Sequence, residues 1–156
     1  MLKPILLVED HPYDQELALF ALKRSNLANE VVAVNDGAEA LDYLFRRGAF
    51  ADRPAGNPVV VLLDLKMPKV DGHEVLQEIR ANPDTARIPV VMLTGSKEER
   101  DIAMSYELGV NAFIVKPIDF KDLVQAVGEV GAFWTLLNNP PPGSVKYSTP
   151  AGGTGR

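Results

Sequence analysis

Three carboxylates, a hydroxyl and an ammonium occupy equivalent places in this chain, each at the end of a short apolar run. Glu9 and Asp10 follow Ile5 to Val8, and Asp64 follows the unbroken run of residues 59–63. Thr94 ends the run that begins at Ile88, and Lys116 follows Ala112 to Val115. The unbroken run before Asp64 marks a strand covered on both faces, as a central parallel strand is. The carboxyl ends of such strands are where open α/β sheets bind ligands. Carboxylates crowded together repel, and their pKa values rise. A hard divalent cation relieves this. Mg2+ keeps several waters, so two or three carboxylates plus a main-chain carbonyl suffice to hold it. The chemistry this suits is phosphoryl transfer, which depends on positioning and charge neutralisation. Asp64 would be the nucleophile toward phosphorus. The cation and Lys116 would offset charge on the equatorial oxygens, Thr94 would donate a hydrogen bond, and Gly95 would leave room for the incoming group. Without a cation, Lys116 would neutralise Asp64. Taken singly, each residue is an ordinary cap, loop polar group or surface lysine. The functional reading rests on finding all five together.

The elements that must position these residues alternate along the chain. Strands are expected at Ile5 to Val8, Glu30 to Val34, the run before Asp64, Ile88 to Leu93 and Ala112 to Val115. Asp10 is expected to cap a helix reaching Arg24, with Pro12 tolerated in its first turn. Asp36 should cap a helix with Ala38, Leu41, Leu44 and Phe45 on one face, and Asp71 one carrying Val75, Leu76 and Ile79. Ser96 with Glu99 reads as a capping box for a helix closing at Gly109. Asp119 should cap the last helix, from Phe120 to Leu137. Residues 46–57, rich in Gly, Pro and Arg, read as a loop. Five strands alternating with five helices, joined by right-handed crossovers, give a doubly wound parallel α/β sheet.

Composition narrows the function classes. The chain has 156 residues, 46% apolar and 24% charged, with net charge −5 and no cysteine. That suits one soluble, cytoplasmic domain over residues 1–137, followed by a flexible Pro/Gly-rich tail over 138–156. The negative charge argues against a nucleic-acid surface. No apolar run approaches the roughly 18 residues of a membrane helix. Thiol chemistry and disulfides are excluded. His11 and His73 read as exposed residues at helix starts.

The motifs together resemble the receiver domain of response regulators in two-component signalling. The resemblance runs from Lys3 to about Val130 and is carried by Glu9-Asp10, LLDLKMPKVDG around Asp64, LTGS around Thr94, and VKP at Lys116-Pro117. It implies a flavodoxin-like fold with strand order 2-1-3-4-5. It also implies Asp64 as phosphoacceptor and Glu9, Asp10, Asp64 and the main-chain carbonyl of Lys66 as Mg2+ ligands. Thr94 and Phe113 become the switch pair, Lys116 pairs with the phosphoryl group, and the Lys116–Pro117 peptide is cis. Lys66 and Ser96 would flank the phosphoryl group. The phosphoryl donor would be a histidine kinase, with no small-molecule substrate beyond phosphodonors. Such a domain catalyses only its own phosphorylation and dephosphorylation.

No DNA-binding or enzymatic segment is recognisable after this region. The output is therefore expected to be docking to another protein, or relay of the phosphoryl group to a His phosphotransfer protein. Segments RRGAFADRPAGNP, ANPDTARIPVVMLT and EVGAFWTLLNNPP resemble receivers that accompany bacterial phytochrome kinases. On the last helix Phe133, Trp134 and Leu137 lie beyond what one sheet can bury, which suggests a homodimer face. A flavin carrier would need a Ser/Thr/Gly-rich phosphate loop where this chain has EDHPYD. An Asp-nucleophile phosphatase would need a second Asp where Lys66 stands. A receiver-like module that never reacts would not need the complete acid set.

Overall fold

The computed structural model describes residues 3–24, 29–117 and 119–142. Strands β1 (Ile5–Val8), β2 (Val31–Val34), β3 (Val60–Leu63), β4 (Val90–Thr94) and β5 (Ala112–Val115) alternate with helices. These are α1 (Pro12–Arg24), α2 (Gly37–Phe45), α3 (Gly72–Ala81), α4 (Glu99–Glu107) and α5 (Phe120–Ala132). All pairings are parallel and the order is β2-β1-β3-β4-β5. The doubly wound sheet expected from the alternation is therefore present. Residues 143–156 of the expected tail lie outside the described residues.

Period-2 alternation splits the core into two layers. Leu6, Val8, Val61, Leu63, Val90 and Met92 pack with Ala40, Leu44, Val75, Leu76 and Ile79 on the α2/α3 side. Ile5, Leu7, Val60, Leu62, Val91 and Leu93 pack with Ala21, Leu22, Leu123 and Val127 on the α1/α5 side. Each such side chain contributes about 1.5–3 kcal/mol when fully buried. The central strands thus form a rigid floor for whatever stands at their ends.

Several local expectations need correction. Helix α2 buries Ala40, Tyr43 and Leu44, whereas Ala38 is exposed. The caps at Asp36, Asp71 and Asp119 form, each accepting a main-chain N–H. Asp10 does not cap α1. The helix begins one residue later, and His11 accepts instead, through Nδ1 from Asp14 N and through its carbonyl from Gln15 N. Ser96 forms no capping box: α4 starts after Glu98, and the Ser96 hydroxyl donates to Asp101 instead. Helix α5 ends at Ala132 and continues as a π-helical turn over Phe133–Leu137. There the Thr135 hydroxyl donates back to Gly131 O at 2.6 Å, a local bond that competes with regular helix. The loop of residues 46–57 contains a 3-10 turn at Gly48–Phe50. It is pinned by Arg53, which donates to the Tyr43 and Leu44 carbonyls at the end of α2.

Candidate phosphoacceptor and metal site

Strand register brings the acids together. Val8 pairs with Leu63, so the next residues, Glu9 and Asp64, emerge side by side. The ladder continues through Asp64 N to Val8 O at 3.0 Å. Thr94 pairs with Val115, and Lys116 N donates to Thr94 O at 2.7 Å, which places the Lys116 side chain over the same edge. Gln15 anchors the loop after β1, donating through Nε2 to Glu9 O, Val34 O and Asn35 Oδ1. The result is an open cleft of about 640 Å³ lined by Glu9, Asp10, Asp64, Lys66, Thr94, Ser96 and Lys116, among others. Phe113 is half-buried against the α2/α3 layer, beside Met92.

Glu9, Asp10 and Asp64 each offer an oxygen within 4.8 Å of the other two. Asp64 is 7% exposed, Glu9 4% and Thr94 1%. Burial raises the Asp64 pKa, against Lys116, a hydrogen bond from Thr94 and one from Leu65 N at 2.8 Å. Burial, reinforced by the charge of Asp64, pushes the Glu9 carboxyl up to about 7. For Lys116, burial alone would lower the pKa, but its contacts with Glu9, Asp64 and Asp14 together raise it. Such a set of hard oxygen donors, with Glu9 and Asp64 disfavoured as anions by burial, fits a divalent cation.

Lys116 does not chiefly neutralise Asp64. Its Nζ lies 2.8 Å from Glu9 Oε2 and 3.1 Å from Asp14 Oδ2, but 3.9 Å from Asp64 Oδ2. Asp14 was missed in the sequence. Its signal was its place one turn into the helix after Asp10, within the acidic EDHPYD stretch. Lys66 points its ammonium to Asp101, at 3.2 Å. Among the described residues no peptide is cis, so the Lys116–Pro117 bond is trans, against the cis form implied by the resemblance. An X-Pro bond differs by only about 0.5–1 kcal/mol between isomers, so surrounding packing decides it and the dipeptide does not. At the far end of α5, Trp134 packs on the chain's own α1/α5 layer, while Phe133 and Leu137 are 46% and 78% exposed. The expected three-residue outer patch is therefore two residues wide, because Trp134 follows Leu123, Val127 and Val130 at helical spacing and joins their core face.

Gly72 also belongs to the site. Its N–H donates to Leu65 O, and a Cβ there would overlap the Asp64 carbonyl oxygen and stand 2.8 Å from Leu65 Cα. Gly72→Ala must push the main chain that carries Asp64. It is expected to cost about 1–3 kcal/mol, read as a lower urea midpoint. An unchanged midpoint would show that the loop yields freely.

Glu9 sets a pH dependence. A carboxyl whose pKa rises on folding stabilises the fold in its protonated form. That contribution is complete below 4.5 and lost as pH rises through about 7. Asp101, held low chiefly by the Ser96 hydroxyl, titrates below its ordinary 3.8 and leaves this window alone. In chelator, melting temperature should fall from about pH 4.5 to 7, and added Mg2+ should reverse the fall. The cation's affinity should drop below pH 7, where it must displace the Glu9 proton. Titration calorimetry at several pH values checks this, and pH-independent affinity would contradict it.

The sequence pattern of the response regulator receiver domain matches residues 5–128. Response regulator Rcp1 of Synechocystis sp. is 45% identical over 132 residues, covering 85% of this chain and 88% of that protein. A solved Mn2+-bound form of Rcp1 superposes with TM-score 0.83 at 43% identity, covering 89% of this chain and 99% of the other. The phosphorylated cyanobacterial phytochrome response regulator RcpA superposes with TM-score 0.84 at 43% identity, covering 90% and 99%. The bacteriophytochrome response regulator RtBRR is 62% identical with TM-score 0.74, covering 92% and 87%. With acids at the ends of β1 and β3, a hydroxyl after β4 and a lysine after β5 on a 2-1-3-4-5 sheet, the chain belongs to the response regulator receiver domain family.

Proposed function

We propose that this chain accepts a phosphoryl group on Asp64 from the phosphohistidine of a histidine kinase, with Mg2+ as the cation. The observation that carries the reading is the buried Asp64 carboxylate, grouped with Glu9 and Asp10 and faced by Thr94 and Lys116. An Asp64 carboxylate oxygen forms a bond to phosphorus as the phosphorus–nitrogen bond breaks, and the electron pair stays on the imidazole. Hydrolysis reverses the state: a water oxygen bonds phosphorus, the Asp64 carboxylate leaves, and inorganic phosphate departs. A bound Mg2+ offsets charge on the carboxylates and the phosphoryl oxygens. Lys116 pairs with the transferred group, and Thr94 donates a hydrogen bond to it. The chain catalyses only these two steps on itself and has no metabolic substrate.

The names of RcpA and RtBRR, a phytochrome and a bacteriophytochrome response regulator, support a phytochrome-type kinase as donor. Thr94 and Phe113 then bias the surface of α4, β5 and α5 as the switch. Exposed Phe133 and Leu137 serve a homodimer face. Sedimentation of Phe133→Ser with Leu137→Ser as a monomer, against a dimeric parent, is the expected result; a monomeric parent would remove the dimer. Cytoplasmic placement follows from the kinase reaction proposed.

The test of the main reading is incubation with acetyl phosphate and Mg2+, followed by intact mass. One phosphoryl adduct is expected, and it should be lost in chelator. An adduct that survives chelation would contradict the metal's role.

A further inference from the structure

Helix α4 is held to the domain unlike its neighbours. Its two buried residues, Asp101 and Ser105, are polar, whereas Met104 and Tyr106 are 49% and 53% exposed. What anchors it is a set of polar contacts centred on Asp101. Asp101 Oδ2 accepts the Ser96 hydroxyl at 2.5 Å and pairs with Lys66 Nζ at 3.2 Å. The Asp101 carbonyl accepts the Ser105 hydroxyl at 2.8 Å, and His73 Nε2 lies 2.8 Å from that same Oγ. Ser105 has one proton, already given to Asp101 O, so His73 donates through Nε2–H. The chain of contacts therefore runs from the loops after β3 and β4, through α4, to α3.

We propose that Asp101 is a positioning residue that holds Lys66 and Ser96 at the rim of the phosphoacceptor cleft and so ties α4 to that cleft. Both side chains line the cleft together with Asp64 and Thr94. One carboxylate occupies them both. The Asp101 side chain is 10% exposed and that of Lys66 60%, so the cation is screened while the acid is not. An anionic group bound at Asp64 offers Lys66 and Ser96 a competing partner. Helix α4 then loses the contacts that stand in for the apolar anchor it lacks. Conversely, Asp101 sets how much positive charge an approaching phosphodonor meets.

Two measurements on the full chain test this. The first uses the unphosphorylated protein and does not depend on Asp64 accepting phosphate. Asp101→Asn keeps an acceptor for Ser96 but removes the charge facing Lys66, and Asp101→Ala removes both. Amide exchange over residues 99–107 should quicken by about threefold in the first and more in the second. Should Asp101→Ala fail to fold, Ser96→Ala and Lys66→Met remove the same contacts from the other side and should quicken α4 as well. Unchanged exchange in all the folded variants overturns the proposal.

The second measurement rests on the phosphoacceptor reading. With dianionic acetyl phosphate, Asp101→Asn should load about threefold faster at low donor concentration. The gain should appear as a lower half-saturating concentration with an unchanged limiting rate. In a Lys66→Met background it should vanish. Slower loading, no change, or a gain that survives in Lys66→Met overturns the proposal. If the parent chain takes up no phosphoryl group, the phosphoacceptor reading fails while the exchange experiment still decides the role of Asp101.

Discussion

Asp64→Asn is expected to take up no phosphoryl group from acetyl phosphate under conditions that load the parent chain fully. An amide nitrogen or neutral carbonyl is a poor nucleophile toward phosphorus, and the two neighbouring carboxylates, Glu9 and Asp10, are the ones that would hold the cation. Glu9 is engaged by Lys116 and by His11 N, at 2.8 and 3.2 Å. Asp10 lies at the cleft but on the loop after β1, beside the acceptor. The same substitution is expected to raise the melting temperature of the cation-free protein. Asp64 is buried, its pKa is raised by that burial, and its charge also raises Glu9. Removing one acid relieves desolvation and repulsion together, the trade between stability and activity expected of a strained site. Intact mass and a thermal melt in chelator read both effects. An adduct of full stoichiometry in Asp64→Asn would move the acceptor elsewhere.

Lys116→Met carries the second large effect. The Lys116 side chain is 14% exposed, and its ammonium lies within reach of three carboxylates, at 2.8, 3.1 and 3.9 Å. Its loss leaves Glu9 and Asp64 buried without their cation. Breaking a buried pair in this way costs about 3 kcal/mol. The cost is expected above pH 7 and should shrink below it, where Glu9 takes up a proton. Loss of a charge aimed at the transferred group should also slow loading by roughly 10²-fold or more. Urea unfolding at two pH values and the rate of adduct formation check the two parts. A variant as stable at high pH as the parent would mean that Lys116 contributes nothing net to the site.

Most of the architecture was legible because it rests on local rules. Unbroken apolar runs announced the strands, of which β1, β3 and β4 are buried along their whole length, and Asp36, Asp71 and Asp119 announced helix starts through capping chemistry that involves only neighbours. Where a cap had a rival partner, local reading failed. Ser96 has the residue type and spacing of a capping box, yet Asp101 takes its hydroxyl. Asp10 sits one residue before the true cap and faces the acid cluster. Trp134 was assigned to an outer patch, but it continues the face of Leu123, Val127 and Val130 and packs on the domain's own core.

The sequence by itself determined which groups could meet: acids after β1 and β3, a hydroxyl after β4 and a lysine after β5. That follows because residues ending parallel strands share one edge once the strands are in register. Only the tertiary structure decided the pairing within that edge. Asp14 joins Glu9 in holding Lys116, Asp101 takes Lys66, and Gly72 makes room for the Asp64 main chain. These are choices among several partners of like chemistry. They turn on small differences in distance, such as 2.8 Å from Lys116 to Glu9 against 3.9 Å to Asp64, set by how the helices and loops lie on the sheet.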